Sequence, residues 1–174
     1  NTLVIIYSDH GQRWTVHDRM PLLFWFPDGK HAGRISDNIQ NIDIAPTILD
    51  YLGIPIPKWM AGQSLIDDDF IAPDHIFSSS VDSSLIEVSM NGIWVTDAGR
   101  KAPPFFQIGY VGLVACDQWF ELYVKNPGIS HGKVKGYSGS CASTKTLSPE
   151  EAERILLERL DECFRLLLTC SSED

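Results

Sequence analysis

Cysteine is scarce in this 174-residue sequence, which contains only four, at positions 116, 141, 163 and 170. Four scattered cysteines do not make the disulfide framework that staples small secreted domains, and no C-x-x-C pair offers a zinc or redox site. We therefore expect all four to be buried thiols.

Long apolar runs and excess positive charge are also missing. No run approaches the ~20 residues that a membrane helix needs, and the first residues lack the basic flank of a secretory signal. Fourteen Lys and Arg against 23 Asp and Glu give a net charge of −9, which opposes binding to nucleic acid or anionic lipid. The sequence thus predicts neither a membrane segment nor a nucleic-acid partner. Because it opens directly on an apolar strand without a methionine, we expect a chain cut from a longer protein.

Residues 1–65 have the pattern of an α/β fold. Leu3–Tyr7 and Leu22–Phe26 are continuous apolar runs, typical of strands covered on both faces in a parallel sheet. Ile44–Leu52 is predicted to be a helix, with Asp43 as its N-cap and Gly53 just past its end.

Residues 66–174 have a different pattern of apolar and polar residues and carry almost all of the net charge, −8 of −9. The acidic stretch Asp67–Asp69 is predicted to be a linker, followed by an antiparallel meander of short strands. Residues 126–146 are rich in glycine and serine and predict a long surface loop. Ser148 to Glu151 form a capping box that opens a terminal amphipathic helix. The tryptophans at 25, 59, 94 and 119 could form a sugar-stacking surface, but their spacing favours core packing.

The segment Ser8-Asp9-His10-Gly11 follows the first strand, at the carboxyl edge where open α/β sheets place ligands. A carboxylate oxygen and an imidazole nitrogen on adjacent residues can both reach one divalent ion if the backbone turns sharply, which Gly11 permits. The alternative is a strand-end turn in which Asp9 hydrogen-bonds to the backbone.

The order of four motifs favours the metal-binding interpretation. SDHG, MPLLFWFP, NIDIAPTILDYLGI and WMAGQSL occur in this order within 65 residues, and the arrangement resembles the carboxyl-terminal part of the catalytic domain in the sulfatase and alkaline-phosphatase-like superfamily. The resemblance covers residues 1 to about 65 closely, and the rest only in architecture. It implies an α/β fold with parallel strands, a small antiparallel sheet and a terminal helix. The domains would then be residues 1–65, part of the catalytic core, and residues 66–174, the meander with its helix.

The resemblance also implies site residues and a cofactor. Asp9 and His10 match the metal-ligand positions of SDHG, so the parent protein would bind a divalent ion, Ca, Mg, Mn or Zn. His17 lies where relatives carry a His or Lys that contacts the anionic group of the substrate, and it is our candidate catalytic residue. An exposed loop is the equally weighted alternative for His17 and the favoured one for Arg13 and Arg19.

The family places its nucleophile and two further acidic ligands upstream of SDHG, and none of these lies in this chain. We therefore expect a fragment of a sulfatase-like hydrolase of sulfate or phosphate esters that binds metal weakly or not at all and is inactive alone. Its partners would be the missing N-terminal segment and, through its uncovered strands, a second copy of itself. The alternatives are a non-catalytic dimerisation module and a phosphoryl transferase or phosphodiesterase of the same superfamily.

Overall fold

The computed structural model describes residues 1–11, 15–81, 86–88, 94–96, 108–123, 128–141 and 146–170. Eight strands and two α-helices are present in this part of the chain. In chain order they are β1 (Val4–Tyr7), β2 (Leu22–Trp25), α1 (Ile44–Tyr51), β3 (Ile76–Val81), β4 (Ile86–Val88), β5 (Trp94–Thr96), β6 (Ile108–Ala115), β7 (Gln118–Tyr123), β8 (Ile129–Lys133) and α2 (Pro149–Cys170). A short 3-10 helix, Asn41–Asp43, leads directly into α1.

The predicted α/β class, antiparallel sheet and terminal helix are confirmed. One sheet has the order β3-β6-β7-β8 with antiparallel pairs throughout, and β4 pairs with β5 in a separate hairpin. The helix α2 begins at the predicted capping box, where Glu151 N–H donates to Ser148 Oγ and Ser148 N–H donates to the Glu151 carboxylate, both at 3.2 Å.

The prediction of parallel strands in residues 1–65 is wrong for the pair that the structure contains. β1 and β2 are antiparallel, with Val4 opposite Trp25 and Ile6 opposite Leu23. Parallel neighbours need a crossover connection, usually a helix, whereas the described residues of the 8–21 connection contain none. The connection therefore turns back, and β2 runs antiparallel beside β1.

The core lies between the four-stranded sheet and α2. Alternate residues of β6 and β7 point to the same face of the sheet, so Val111, Leu113, Phe120 and Leu122 all face the helix. They pack with its buried residues, Ala152, Leu156 and Leu160. The opposite face of this sheet carries Gly112, Trp119, Glu121 and Tyr123.

Two predictions about side-chain burial are wrong. Trp25 is 58% exposed and Trp59 79% exposed, so neither is a core residue; Trp25 lies on the outer face of the two-stranded sheet. Cys116 and Cys141 form a disulfide with a Cα–Cα distance of 5.4 Å, because the turn between β6 and β7 brings Cys116 beside the glycine-rich loop. The side chains of Cys163 and Cys170 lie outside the described residues.

The predicted long loop at 126–146 is interrupted by β8, which adds to the edge of β7. The remaining glycine-rich stretch, 134–141, lies against the segment 34–40. Ser140 N–H donates to Asp37 Oδ1 at 2.9 Å, and Asn38 Nδ2 donates to the Cys116 carbonyl at 2.8 Å. These contacts join residues on both sides of position 65, where the proposed domain division remains a prediction.

Candidate functional site

The SDHG segment forms a tight turn directly after β1. Ser8 Oγ donates to the carbonyl of His10 at 2.7 Å, and His10 N–H donates to Asp9 Oδ1 at 3.1 Å. The hydrogen bond from the backbone to Asp9 is the one expected if SDHG is only a turn at the end of the strand. It occupies only one oxygen of the carboxylate.

The second oxygen of Asp9 faces the imidazole of His10. Asp9 Oδ2 lies 3.7 Å from His10 Nε2, and the Asp9 side chain is 81% exposed. Two ligands ~2.1 Å from a tetrahedral zinc are about 3.4 Å apart, so this pair is close to the separation that one ion requires. The two donors therefore fit part of a metal site.

The other nitrogen of His10 supports the same assignment. His10 Nδ1 lies 2.8 Å from the Gly11 carbonyl oxygen, a contact in which Nδ1 carries the proton and donates. Histidines that bind metals commonly donate their second N–H to a carbonyl, which fixes the tautomer and leaves the first nitrogen to coordinate. Here that nitrogen would be Nε2, which faces Asp9.

The 3-10 helix holds the turn from the other side. Asn41 Nδ2 lies 3.3 Å from the Ser8 carbonyl oxygen and 3.4 Å from that of Asp9. Asn41 in turn precedes Asp43, which is 1% exposed and accepts hydrogen bonds from Gln40 N–H at 2.8 Å and Gln63 N–H at 2.9 Å.

Asp43 occupies the N-cap position of α1, as predicted, but its side chain makes no capping hydrogen bond to that helix. Its carboxylate instead binds the two backbone N–H groups and ties the start of α1 to the GQSL segment. Thr47 extends this link, because its Oγ1 accepts from Leu65 N–H at 2.9 Å. These bonds join the NIDIAPTILDYLGI and WMAGQSL motifs.

Gly11 is needed because of a close approach. A Cβ at this position would lie 2.2 Å from Asp18 Cβ, well inside any real contact. The sequence suggested that Gly11 permits a sharp turn, but the structure shows that it makes room for Asp18. No sequence signal identified Asp18 or Asn41 as neighbours of the turn.

His17 is half-buried and stacks on Trp119 of β7. The ring centroids are 4.2 Å apart with an interplanar angle of 24°. Its Nδ1 is buried and has no hydrogen-bond partner within the described part of the chain. His17 is thus held by its ring face.

Two other basic residues of residues 1–65 have different surroundings. Arg19 donates through Nη1 to the Gly136 carbonyl, which places it at the glycine-rich loop. His31 is exposed and makes edge contacts with Phe26 and Tyr51. Arg13 lies outside the described residues.

Asp9, His10 and His17 line one cleft, whose far wall is the outward face of the four-stranded sheet. The cleft volume of about 2310 Å³ exceeds the ~300–1,000 Å³ usual for a ligand pocket, so this is an open surface. Within the described residues, no group of three or more His, Cys, Asp or Glu side chains could hold a metal ion.

Glu121 on this wall is 6% exposed and accepts two hydrogen bonds. Val16 N–H donates to Oε1 at 3.3 Å, and Tyr123 OH donates to Oε2 at 3.3 Å. The carboxylate of Glu121 raises the pKa of the Tyr123 hydroxyl, which keeps that group protonated and able to donate. Sequence reasoning did not single out Glu121 or its contact with the loop.

Residues 9–70 match the family described as N-sulphoglucosamine sulphohydrolase, C-terminal. The matched range begins at the candidate metal ligands and ends just beyond the GQSL segment. Residues 9–70 are thus similar to the carboxyl-terminal part of sulfatases in the alkaline-phosphatase-like superfamily.

The curated relatives include sulfatases and phosphoglycerate mutases. The chain is 35% identical over 77 residues to arylsulfatase K of Homo sapiens, which covers 37% of this chain and 14% of that protein. It is 35% identical over 78 residues to N-acetylglucosamine-6-O-sulfatase of Bacteroides thetaiotaomicron, with 37% and 14% covered. It is 34% identical over 86 residues to 2,3-bisphosphoglycerate-independent phosphoglycerate mutase of Synechocystis sp., with 39% and 16% covered.

These matches span only about 14–16% of the length of the relatives. No solved structure matches this chain significantly. Among its described residues, no helix is long and apolar enough to cross a membrane.

Proposed function

We propose that this chain is part of a metal-dependent sulfatase that hydrolyses sulfate esters and is longer than the chain itself. The observation that carries the proposal is the geometry of Asp9 and His10, whose Oδ2 and Nε2 atoms face each other at 3.7 Å at the end of β1. The sulphohydrolase match beginning at Asp9 supports it. Residues 1–65 would belong to the catalytic core, and 66–174 would form the meander with its terminal helix.

Each candidate residue has a defined task in this proposal. A divalent ion held by Asp9, His10 and ligands upstream would supply positive charge to offset the charge on the transferred group. The Gly11 carbonyl fixes the His10 tautomer, and Asn41 fixes the backbone of the turn. His17 would contact the anionic group of the substrate or protonate the leaving oxygen.

Phosphoryl transfer is the second candidate, because phosphoglycerate mutases are among the curated relatives at 34% identity. The nucleophile that distinguishes sulfate from phosphate chemistry would lie upstream of Asn1. The two candidates share Asp9 and His10 and differ in the ester that they cleave.

The test compares this chain with the full-length protein that contains it, using an aryl sulfate and the matching aryl phosphate. We expect the 174-residue chain to show no turnover, because hydrolysis needs the nucleophile positioned against the metal. We expect the full-length protein to hydrolyse the aryl sulfate, and Asp9→Ala to lower kcat/KM at least about 100-fold, the typical cost of losing one charge-stabilising group.

Asp69→Ala is the matched control, since Asp69 is an exposed aspartate of the acidic stretch beyond GQSL. It should keep full activity. Turnover of the phosphate alone would favour phosphoryl transfer. Full activity in Asp9→Ala, or metal-dependent turnover by the 174-residue chain that Asp9→Ala abolishes, would contradict the proposal.

A further inference from the structure

The loop that carries His17 rests on the outward face of the four-stranded sheet, through three contacts of different kinds. One is steric, between Val16 and Gly112 of β6. One is aromatic, between His17 and Trp119 of β7. One is a hydrogen bond, from Val16 N–H to Glu121 Oε1.

The steric contact requires glycine at position 112. A Cβ there would lie 2.0 Å from Val16 Cγ1 and 2.8 Å from Ser78 Oγ, so any larger residue must displace the loop or the sheet. Gly112 itself is buried between its neighbours β3 and β7. The loop therefore lies directly on the backbone of β6.

The aromatic contact and the hydrogen bond fix orientation. Trp119 lies beneath the imidazole of His17, with a small angle between the two rings. Glu121 is two residues further along the same strand, and its buried carboxylate needs hydrogen-bond donors, one of which is the backbone of Val16. Trp119 and Glu121, two positions apart on β7, thus contact two consecutive residues of the loop.

We propose that Gly112, Trp119 and Glu121 are positioning residues that hold Val16 and the ring of His17 so that His17 faces the cleft lined by Asp9 and His10. All three lie beyond residue 70, where the family match ends. The four-stranded sheet therefore helps to build the site in residues 1–65, because its residues position His17. The meander then contributes to function as well as to structure. The inference rests on the proposed role of His17.

The first arm of the test is independent of activity and uses the 174-residue chain labelled at histidine. NMR should show a nuclear Overhauser contact between the His17 ring and the Trp119 indole. Trp119→Leu should abolish the contact and shift the His17 ring protons downfield, because the ring current of the indole is lost. Gly112→Val should do the same by displacing Val16.

Phe120→Leu is the matched structural control. Phe120 neighbours Trp119 on β7 but faces α2, so this variant weakens the core without touching the loop. It should lower the melting temperature and leave the His17 signals in place. If Phe120→Leu moves the His17 signals as much as Trp119→Leu does, the contact reflects general stability, and the proposal is overturned.

The second arm measures kcat and KM of the full-length protein. We expect Trp119→Leu to lower kcat at least tenfold with a smaller change in KM, since small displacements of a reacting group can cost up to 100-fold. Trp119→Phe, which keeps an aromatic face, should recover most of kcat. Glu121→Gln keeps an acceptor for Val16 N–H, so its kcat should exceed that of Glu121→Ala.

The two arms separate this inference from the proposed function. Loss of activity in Asp9→Ala with unchanged kcat in Trp119→Leu would overturn positioning and leave the proposed function standing. A lost His17 contact in Trp119→Leu with full activity in Asp9→Ala would contradict the proposed function. Only the contact between the loop and Trp119 would then be supported.

Discussion

Replacing Cys141 with serine is expected to lower the free energy of unfolding by about 3–4 kcal/mol. The Cys116–Cys141 disulfide closes a loop with a sequence separation of 25, which includes β7 and β8. Without the bond the unfolded chain gains conformational freedom, and the glycine-rich loop loses its covalent tie to the β6–β7 turn. Thermal unfolding should show a fall of roughly 6–16 °C for a chain of this length.

Cys116→Gly is the matched variant at the other end of the bond. Cys116 has a φ of 54°, a conformation that glycine adopts without strain, so this change removes the sulfur and adds no backbone penalty. Each single variant should lose similar stability, and the double variant should lose little more. Four reactive thiols in denatured, unreduced protein, instead of two, would show that the bond does not form.

We propose that the 174-residue chain self-associates through the outer face of its two-stranded sheet, and that Trp25→Asp makes it monomeric. Val4, Ile6, Leu23 and Trp25 share this face, since Val4 pairs with Trp25 and Ile6 with Leu23. They are 41, 60, 55 and 58% exposed. At ~25 cal/mol per Å² of apolar surface, covering a few hundred Å² stabilises a dimer by several kcal/mol.

Sedimentation at micromolar concentration measures the effect. Trp59→Asp is the control, because Trp59 is exposed but lies in the irregular segment after α1. Wild type and Trp59→Asp should sediment as dimers or larger, and Trp25→Asp as a folded monomer. Phe24→Asp should instead unfold the sheet, since Phe24 faces the other way and stacks on Phe26 at 5.7 Å. A wild-type monomer of 19.5 kDa would refute the proposal.

Local signals in the sequence predicted the elements whose formation depends on neighbouring residues. The capping box at Ser148 predicted the start of α2, and the pattern of short strands after the acidic stretch predicted the antiparallel meander that contains β3, β6 and β7. Reciprocal capping and apolar periodicity act within a few residues, so they are visible without knowledge of the fold.

The antiparallel direction of β1 and β2 could not be predicted from such local signals. Continuous apolar runs indicate strands covered on two faces, but they carry no information on strand direction. The direction depends on how the connection between Tyr7 and Leu22 travels, which tertiary contacts decide.

The surroundings of the candidate site were the least predictable part. The SDHG motif drew attention to Asp9 and His10, whose adjacency is itself local. The support for His17 comes from Trp119 and Glu121, about 100 residues away in the sequence, and no spacing rule connects them. The disulfide has the same character, because two scattered cysteines pair only when the fold brings their Cα atoms within reach.

The most direct test of the central claim is the metal content of the full-length protein with and without its two candidate ligands. Elemental analysis after dialysis should find about one divalent ion per chain in the wild type and in Asp69→Ala. Asp9→Ala and His10→Ala should each bind metal at least tenfold more weakly, because even changes to groups behind metal ligands cost 10–100-fold. Undiminished metal binding in both variants would contradict the assignment of Asp9 and His10 as ligands.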